Sequence, residues 1–235
     1  MGENDFLKNI LKNPFENMTA EEIAAHDEEV RQKEAKQAEH DRIERYKRSG
    51  VPERYWTESL DTYQVTNKMQ ETAARAIGEF LREIKCGAFR TLVLIGSAGT
   101  GKTHLACGAV REYGGKFANA PDIVEEIRRA KSFSADQTEK QIIDSYSHKS
   151  LLVIDEIGRG IAATDEKYML YQIINARYNT RKPTVLISNF TKADFLKYIG
   201  VAAADRLVES GDIVEMNGES YRKLRRQNET SATAV

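Results

Sequence analysis

The sequence predicts an α/β fold: a parallel sheet flanked by helices on both faces, with a helical arm ahead of it. Three observations predict it. From residue 67 onward, short apolar runs alternate with longer helical patterns, and strands separated by helices run parallel with both faces covered. The octet Gly96-Ser97-Ala98-Gly99-Thr100-Gly101-Lys102-Thr103 follows the first apolar run and opens a helical pattern. Residues 19–48 contain neither Gly nor Pro and are dominated by charge.

The charged stretch reads as one long solvated helix. Thr19-Ala20-Glu21-Glu22 is a capping box, in which Thr19 and Glu22 satisfy each other's amides. Glu29–Lys33, Asp41–Arg45 and Glu44–Arg48 are favourable pairs four residues apart. Ile23, Val30, Ile43 and Tyr46 make only a thin apolar stripe, and Ser49-Gly50 with Pro52 ends the helix. Before it, Phe6, Leu7, Ile10 and Leu11 share one face of a short helix. That face serves either the chain's own core or another protein.

The remaining elements follow in order. Lys68–Ile84 is a helix, Thr91–Ile95 a buried strand and Thr103–Tyr113 a helix. Lys116–Asn119 is a short strand, and Pro121 opens a helix at a position that suits proline. Leu151–Ile154 is a strand and Asp165–Tyr178 a helix. Thr184–Ser188 is a strand, Lys192–Tyr198 and Ala202–Val208 are helices, and Asp212–Met216 is the last strand. The organisation is an arm over 1–50, a linker over 51–66, the α/β domain over 67–226 and a disordered tail over 227–235.

Composition narrows the classes. With 235 residues, 40% hydrophobic and 30% charged, the chain has an ordinary globular balance. Mean hydropathy is -0.56, and no apolar run approaches the ~20 residues a bilayer span needs. The N-terminus lacks a basic region followed by an apolar one, which argues against a secretory signal. Two cysteines, Cys86 and Cys107, fit a reducing cytoplasm. Lys plus Arg is 35 and Asp plus Glu is 36, a net charge of -1. Nucleic-acid binding would therefore need a local patch.

The octet fits G-x-x-x-x-G-K-[ST]. Glycines let the backbone turn its N–H groups toward phosphate oxygens at a helix N-terminus. Gly96 to Thr103, with His104, are the expected nucleotide-binding residues. Lys102 would reach the β- and γ-phosphates of a bound nucleotide, and the Thr103 hydroxyl would bind Mg²⁺. Leu151-Leu152-Val153-Ile154-Asp155-Glu156 is an apolar strand ending in two acids. Asp155 suits the Mg²⁺ shell through water, while Glu156 points elsewhere and can polarise an attacking water. Thr184-Val185-Leu186-Ile187-Ser188-Asn189 is another strand with a polar end. Ligands of open parallel sheets sit at the carboxyl ends of strands. Asn189 is then either a water- or phosphate-orienting group or a turn former. Asp155-Glu156-Ile157-Gly158 and Thr191-Lys192-Ala193-Asp194 also approximate GTPase motifs. Thr191 with Asp194, however, fits a helix start better.

These residues, in this order, resemble the AAA+ ATPases. The resemblance narrows with Gly101-Lys102-Thr103-His104-Leu105-Ala106, Leu152-Val153-Ile154-Asp155-Glu156-Ile157-Gly158 and Ile173-Ile174-Asn175-Ala176-Arg177-Tyr178. Arg181-Lys182-Pro183-Thr184, Ala204-Asp205-Arg206-Leu207 and Ser220-Tyr221-Arg222 complete it. As a set, they resemble the DnaC-type helicase loaders over roughly residues 51–225. Similar stretches occur in IstB-type transposition helper ATPases. The resemblance implies an ATPase that self-assembles through its ATP sites, holds a replicative helicase of the DnaB type and grips single-stranded DNA. It implies that hydrolysis at Glu156 releases the loader. Arg206 resembles the arginine finger, a fixed fork of donors for a neighbouring subunit's ATP. Arg222 resembles the sensor-2 arginine. That residue normally sits in a helical lid, and about twenty residues beyond Met216 are too few for a full lid.

The resemblance makes residues 1–50 the helicase-binding arm, with Phe6, Leu7, Ile10 and Leu11 as its contact face. It also directs attention to residues 128–149 for DNA. Arg128, Arg129, Lys131, Lys140 and Lys149 supply charge there, and Phe133 and Tyr146 can stack on bases. Phe133, Arg128 and Lys131 are the preferred contacts. A solvated helical pair with ordinary core aromatics is the competing reading. Two other functions stay open: a transposition helper acting with a transposase on duplex DNA, and a nucleotide-gated adaptor without useful turnover.

Overall fold

The computed structural model describes residues 19–132, 136–160 and 163–221. Contacts divide the chain into two units, residues 1–45 and 46–235. The anchor face of Phe6, Leu7, Ile10 and Leu11 lies outside the described residues, as do Phe133, Arg222 and the tail over 227–235.

In the first unit, helix α1 (Ala20–Lys47) begins as its sequence dictates. The Glu22 carboxylate accepts from the Thr19 amide at 2.8 Å, and the Thr19 hydroxyl accepts from the Glu22 amide at 3.3 Å. Lys33 and Glu29 pair at 2.7 Å. Arg45 meets Asp41 at its backbone carbonyl instead, at 3.3 Å, while the Asp41 carboxylate takes the Gln37 amide. Described positions through residue 45 are exposed or half-exposed, as a stripe this thin requires.

In the second unit, a short 3-10 turn (Glu53–Tyr55) precedes α2 (Lys68–Lys85), β1 (Thr91–Ile95) and α3 (Lys102–Tyr113). Then come β2 (Lys116–Asn119), α4 (Ala120–Ala130), α5 (Glu139–Ser147), β3 (Leu152–Ile157) and α6 (Ala163–Asn179). β4 (Thr184–Ser188), α7 (Lys192–Ile199), α8 (Val201–Ser210) and β5 (Gly211–Glu215) complete it. The five strands form one parallel sheet in the order β2-β3-β4-β1-β5. Alternate residues of each strand serve opposite faces, so both faces are apolar. Val93, Ile95, Leu152, Ile154 and Leu186 pack with α4 to α8. Leu92, Leu94, Val153, Val185 and Ile187 pack with α2 and α3, joined by Tyr46 and Val51.

Among the described residues the predicted elements are all present, with one informative difference. β3 runs on through both acids to Ile157, because Ile157 pairs with Ser188 beyond a bulge that follows Ile154. The carboxylates therefore lie inside the last pairings of the strand, not after them.

One buried charge fastens the helices to the sheet. Arg177 in α6 is 1% exposed. Its guanidinium donates to the carbonyls of Tyr146, Ser147 and Lys149, closing the C-terminus of α5. It also donates to Pro183 O and Thr184 Oγ1 at the entry to β4. Each of those acceptors loses water on folding and is costly to leave unpaired. Arg177→Ala is expected to cost about 3 kcal/mol or more in urea unfolding. Lysine, with three donors on one atom, should recover only part of that loss.

Candidate nucleotide-binding site

The phosphate loop leaves β1 at Ile95 and enters α3 at Lys102. Its glycines are required by conformation and by space. Gly99 and Gly101 have φ of +82° and +100°, a region that side chains rarely occupy. A Cβ on Gly101 would stand 2.7 Å from the Tyr63 ring, and one on Gly99 would stand 2.1 Å from Ser220 Oγ. Ser97 and Ala98 form the exposed tip, while Gly96 and Thr100 are buried. Lys102 is 5% exposed, and its ammonium donates to Gly96 O at 2.7 Å and Ser97 O at 2.6 Å. A strong positive charge is thus held beneath a ring of backbone amides.

Thr103 and Asp155 meet, as the octet and the acidic strand end predict. The Thr103 hydroxyl donates to Asp155 Oδ2 at 2.7 Å, and Asp155 Oδ1 accepts from the Glu156 amide at 2.6 Å. Burial pushes the Asp155 carboxyl up from its ordinary value, while these two bonds hold it down. Two hard oxygen donors in contact, beside a phosphate loop, fit a Mg²⁺ ion. Glu156 follows with φ +58° at the bulge. Its carboxylate pairs with Arg159 at 3.0 Å, and both side chains are about half-exposed.

Asn189 follows β4, the strand inserted between β1 and β3. The sheet order therefore brings its exposed side chain between the phosphate loop and the acids. The residue before it is fixed. Ser188 Oγ donates to Ile157 O at 2.8 Å and accepts from the Phe190 amide at 3.2 Å.

The surroundings of the loop come from segments to which the sequence assigns no role. The Tyr63 hydroxyl donates to Thr100 O at 3.3 Å, and burial raises its phenol to about 12. On the other side the Tyr221 amide donates to Gly99 O, and its hydroxyl donates to Gln64 at 2.6 Å. Residues 63–64 and 220–221 thus close together around the loop. His104 belongs to this strap. Its ring lies 2.8 Å from Ser59 O and packs edge-on to Tyr63, so the side chain contacts the linker. The aromatic density of residues 55–63 is the sequence signal for this packing.

Residues 22–230 match the family described as IstB-like ATP binding protein. The chain belongs to that family. Among its relatives, the replicative helicase loader DnaC of Buchnera aphidicola (subspecies Baizongia pistaciae) is 28% identical over 189 residues, covering 77% of this chain and 76% of the relative. A putative ATP-binding protein of insertion sequence IS232 from Bacillus thuringiensis is 28% identical over 141 residues, covering 56% of this chain and 55% of the relative. The crystal structure of the DnaC helicase loader superposes with a TM-score of 0.63 at 23% identity, covering 70% of this chain and 99% of that one. The fold of this IstB-like protein is accordingly the AAA+ type.

The other expected residues fall in two groups. Arg206 lies away from the phosphate loop of its own chain. It lines a small cavity with Thr91 and Thr184, the first residues of β1 and β4. The loop leaves the other end of β1, about 13 Å away for a strand of this length. The Arg206 guanidinium rests over the Tyr178 and Tyr171 rings at 5.6 and 5.9 Å, and Nη1 donates to Ala202 O. Its Nε is buried without a hydrogen-bond partner among the described residues. Arg128 and Lys131 pair with Asp165 at 2.8 Å and Glu139 at 3.7 Å, and Arg129 pairs with Glu125. Tyr146 corrects an expectation: it is buried in the core and bonds Glu126 at 2.7 Å, so it has no ring face to offer a base. Thr191 caps α7 by accepting from the Asp194 amide, so the GTPase-like tetrad is a helix start.

Lys102→Ala should abolish ATP binding, measured by titration of a fluorescent analogue. The loop would lose the cation facing the β/γ-phosphate charge. GTP should compete poorly against ATP in the same assay.

Proposed function

We propose that this IstB-like protein is an ATP-hydrolysing loader of a replicative helicase of the DnaB type. The observation that carries the nucleotide reading is the Thr103–Asp155 contact of 2.7 Å beside the buried Lys102. The amides of residues 97–103 cradle the phosphates, and Lys102 neutralises their charge. Mg²⁺, held by Thr103 and through water by Asp155, would supply further neutralisation of the γ-phosphate. Glu156 accepts the proton of the attacking water once its carboxylate leaves Arg159, and Asn189 orients that water. ATP sites complete themselves by self-assembly. The distance of Arg206 from its own phosphate loop supports action on a neighbouring subunit, where its fork meets the charge of the transferring phosphoryl group.

The match to DnaC across three-quarters of both chains supports the helicase as partner, with residues 1–50 as the arm that holds it and residues 67–226 as the ATPase domain. Single-stranded DNA would lie along residues 128–133. Arg128 and Lys131 reach it by exchanging exposed carboxylate partners for phosphates, a cheap exchange at half-exposed positions, and Phe133 stacks on a base. Arg222 would act at the nucleotide site as a sensor-2 arginine. The family match and the IS232 relative favour a second reading, a transposition helper acting with a transposase on duplex DNA. One experiment decides between them. The protein with ATP is offered a hexameric replicative helicase and a transposase in parallel pull-downs. Capture of the helicase alone supports the loader; capture of the transposase alone overturns it.

Glu156→Gln keeps shape but cannot take a proton. It should bind ATP with unchanged affinity and hydrolyse it at least tenfold more slowly in a phosphate-release assay. Arg206→Ala should also bind ATP but lose assembly-dependent turnover. Mixed with Lys102→Ala subunits, it should recover some activity, since each supplies what the other lacks.

A further inference from the structure

Glu166 is the most completely buried acid among the described residues, at 0% exposure, and the nucleotide chemistry above leaves it without a role. It sits in the first turn of α6, where a helix N-terminus favours a carboxylate. Its Oε1 accepts from the Gly158 amide at 2.6 Å. Its Oε2 is buried, 2.6 Å from where a Cβ on Gly160 would stand, and the carboxylate faces the Tyr198 hydroxyl, whose phenol it helps to push up. A carboxylate dehydrated this far is expensive, so its place in the turn after Glu156 calls for a reason.

The reason lies in one peptide group. The Gly158 N–H and the Ile157 C=O belong to the same peptide plane. Glu166 takes the N–H from α6, and Ser188 Oγ donates to the C=O from β4 at 2.8 Å. The plane is held at both ends by side chains on different elements. Glu156, one residue upstream, has φ +58°, a costly state for a side-chain-bearing residue that persists only when its surroundings fix it. Downstream, Gly158 has φ +86°, and a Cβ there would stand 2.2 Å from the Phe190 ring. Phe190 follows Asn189 directly, and its amide donates to the same Ser188 oxygen. The plane is thus shared by the turn that aims Glu156 and the turn that aims Asn189.

We infer that Glu166 and Ser188 clamp the Ile157–Gly158 peptide and so act as positioning residues for hydrolysis, holding Glu156 and Asn189 in one fixed relation. The inference rests on the ATPase reading above. It separates chemistry from binding, because the hydrogen bonds of both clamp side chains among the described residues go to Gly158, Ile157 and Phe190, not to the phosphate loop.

The test compares wild type with Glu166→Gln, Glu166→Ala and Ser188→Ala. Three readouts are used: phosphate release across ATP concentrations, affinity for a fluorescent ATP analogue, and hydrogen exchange of peptides spanning 155–160 and 188–190. Glutamine keeps a carbonyl oxygen for the Gly158 amide, so Glu166→Gln should keep kcat within about threefold. Glu166→Ala and Ser188→Ala should each lower kcat tenfold or more, leave ATP affinity within twofold and speed exchange in both peptides. Ser188→Ala removes one hydroxyl and keeps the test available if Glu166→Ala fails to fold. Unchanged kcat in a folded Glu166→Ala or Ser188→Ala variant, or equal loss in the glutamine and alanine variants, overturns the inference while leaving the ATPase reading intact. A loss confined to ATP affinity also overturns it. Wild-type protein without turnover overturns both.

Discussion

The hydrogen bond from Thr103 to Asp155 joins the start of α3 to the end of β3, and β4 lies between the strands that carry them. Neighbouring strands are about 4.8 Å apart, so the ends of β1 and β3 are separated by roughly twice that distance. A short hydroxyl spans the gap only if α3 begins over the sheet's edge and lies close to it. The composition of α3 allows this. Ala106, Cys107, Gly108 and Ala109 are all buried between Leu105 and Val110, so the middle of the helix can approach its neighbours closely. Leu60 fills the space above Gly108, where a Cβ would stand 2.5 Å from its methyl. The linker therefore presses the helix into the position that the Thr103–Asp155 contact demands.

That position carries an electrostatic cost, which a nucleotide relieves. Lys102 and Asp155 are buried at 5% and 6% exposure, one beneath the loop and one beyond it. Lys102 is satisfied by carbonyl dipoles and Asp155 by a hydroxyl and an amide. Dipoles only partly replace water around a full charge. Lys102 and Asp155 already attract one another, and triphosphate oxygens beside Lys102 with a divalent cation beside Asp155 would add opposite charge to each. Binding free energy of this kind adds to folding stability by mass action.

How much of this is legible in the sequence depends on whether a feature is local. Strands β1, β2 and β4 have the ends their sequences predict, because turn residues and fully apolar runs bound them. Lys102, Thr103 and Asp155 are legible because a glycine-rich octet ending in Lys-Thr and an apolar strand tipped with acid seldom occur together without phosphate chemistry. What escapes is long-range. Tyr63 lies 37 residues from Thr100, Tyr221 lies 157 from Gln64, and Ser188 lies 31 from Ile157. No spacing rule connects such pairs. Glu166 reads as an ordinary acid in a helix's first turn, and its complete burial depends on Gly158 and Gly160 folding around it. Tyr146 escapes differently: a polar sequence context conceals a core position, because Glu126 on the facing helix supplies its hydroxyl partner.

The region around Glu156 combines a rigid backbone with a loosely held side chain. The Ile157–Gly158 peptide is tied through buried partners, Glu166 at 0% and Ser188 at 1% exposure. The Glu156 carboxylate is tied only to Arg159, in a pair whose side chains are 42% and 59% exposed. An ion pair in that setting is screened by solvent and contributes little. The carboxylate can therefore leave Arg159 for a water at a bound γ-phosphate at small cost, while the backbone that aims it stays still. The left-handed conformation at Glu156 fits the same division. It costs ~1–3 kcal/mol, and the neighbouring Asp155 has its oxygens engaged by Thr103 and the Glu156 amide. Two adjacent acids on a regular strand would differ only in which face they point to. Here they also differ in burial, and the ATPase reading proposed above assigns the buried Asp155 to a cation and the half-exposed Glu156 to proton transfer.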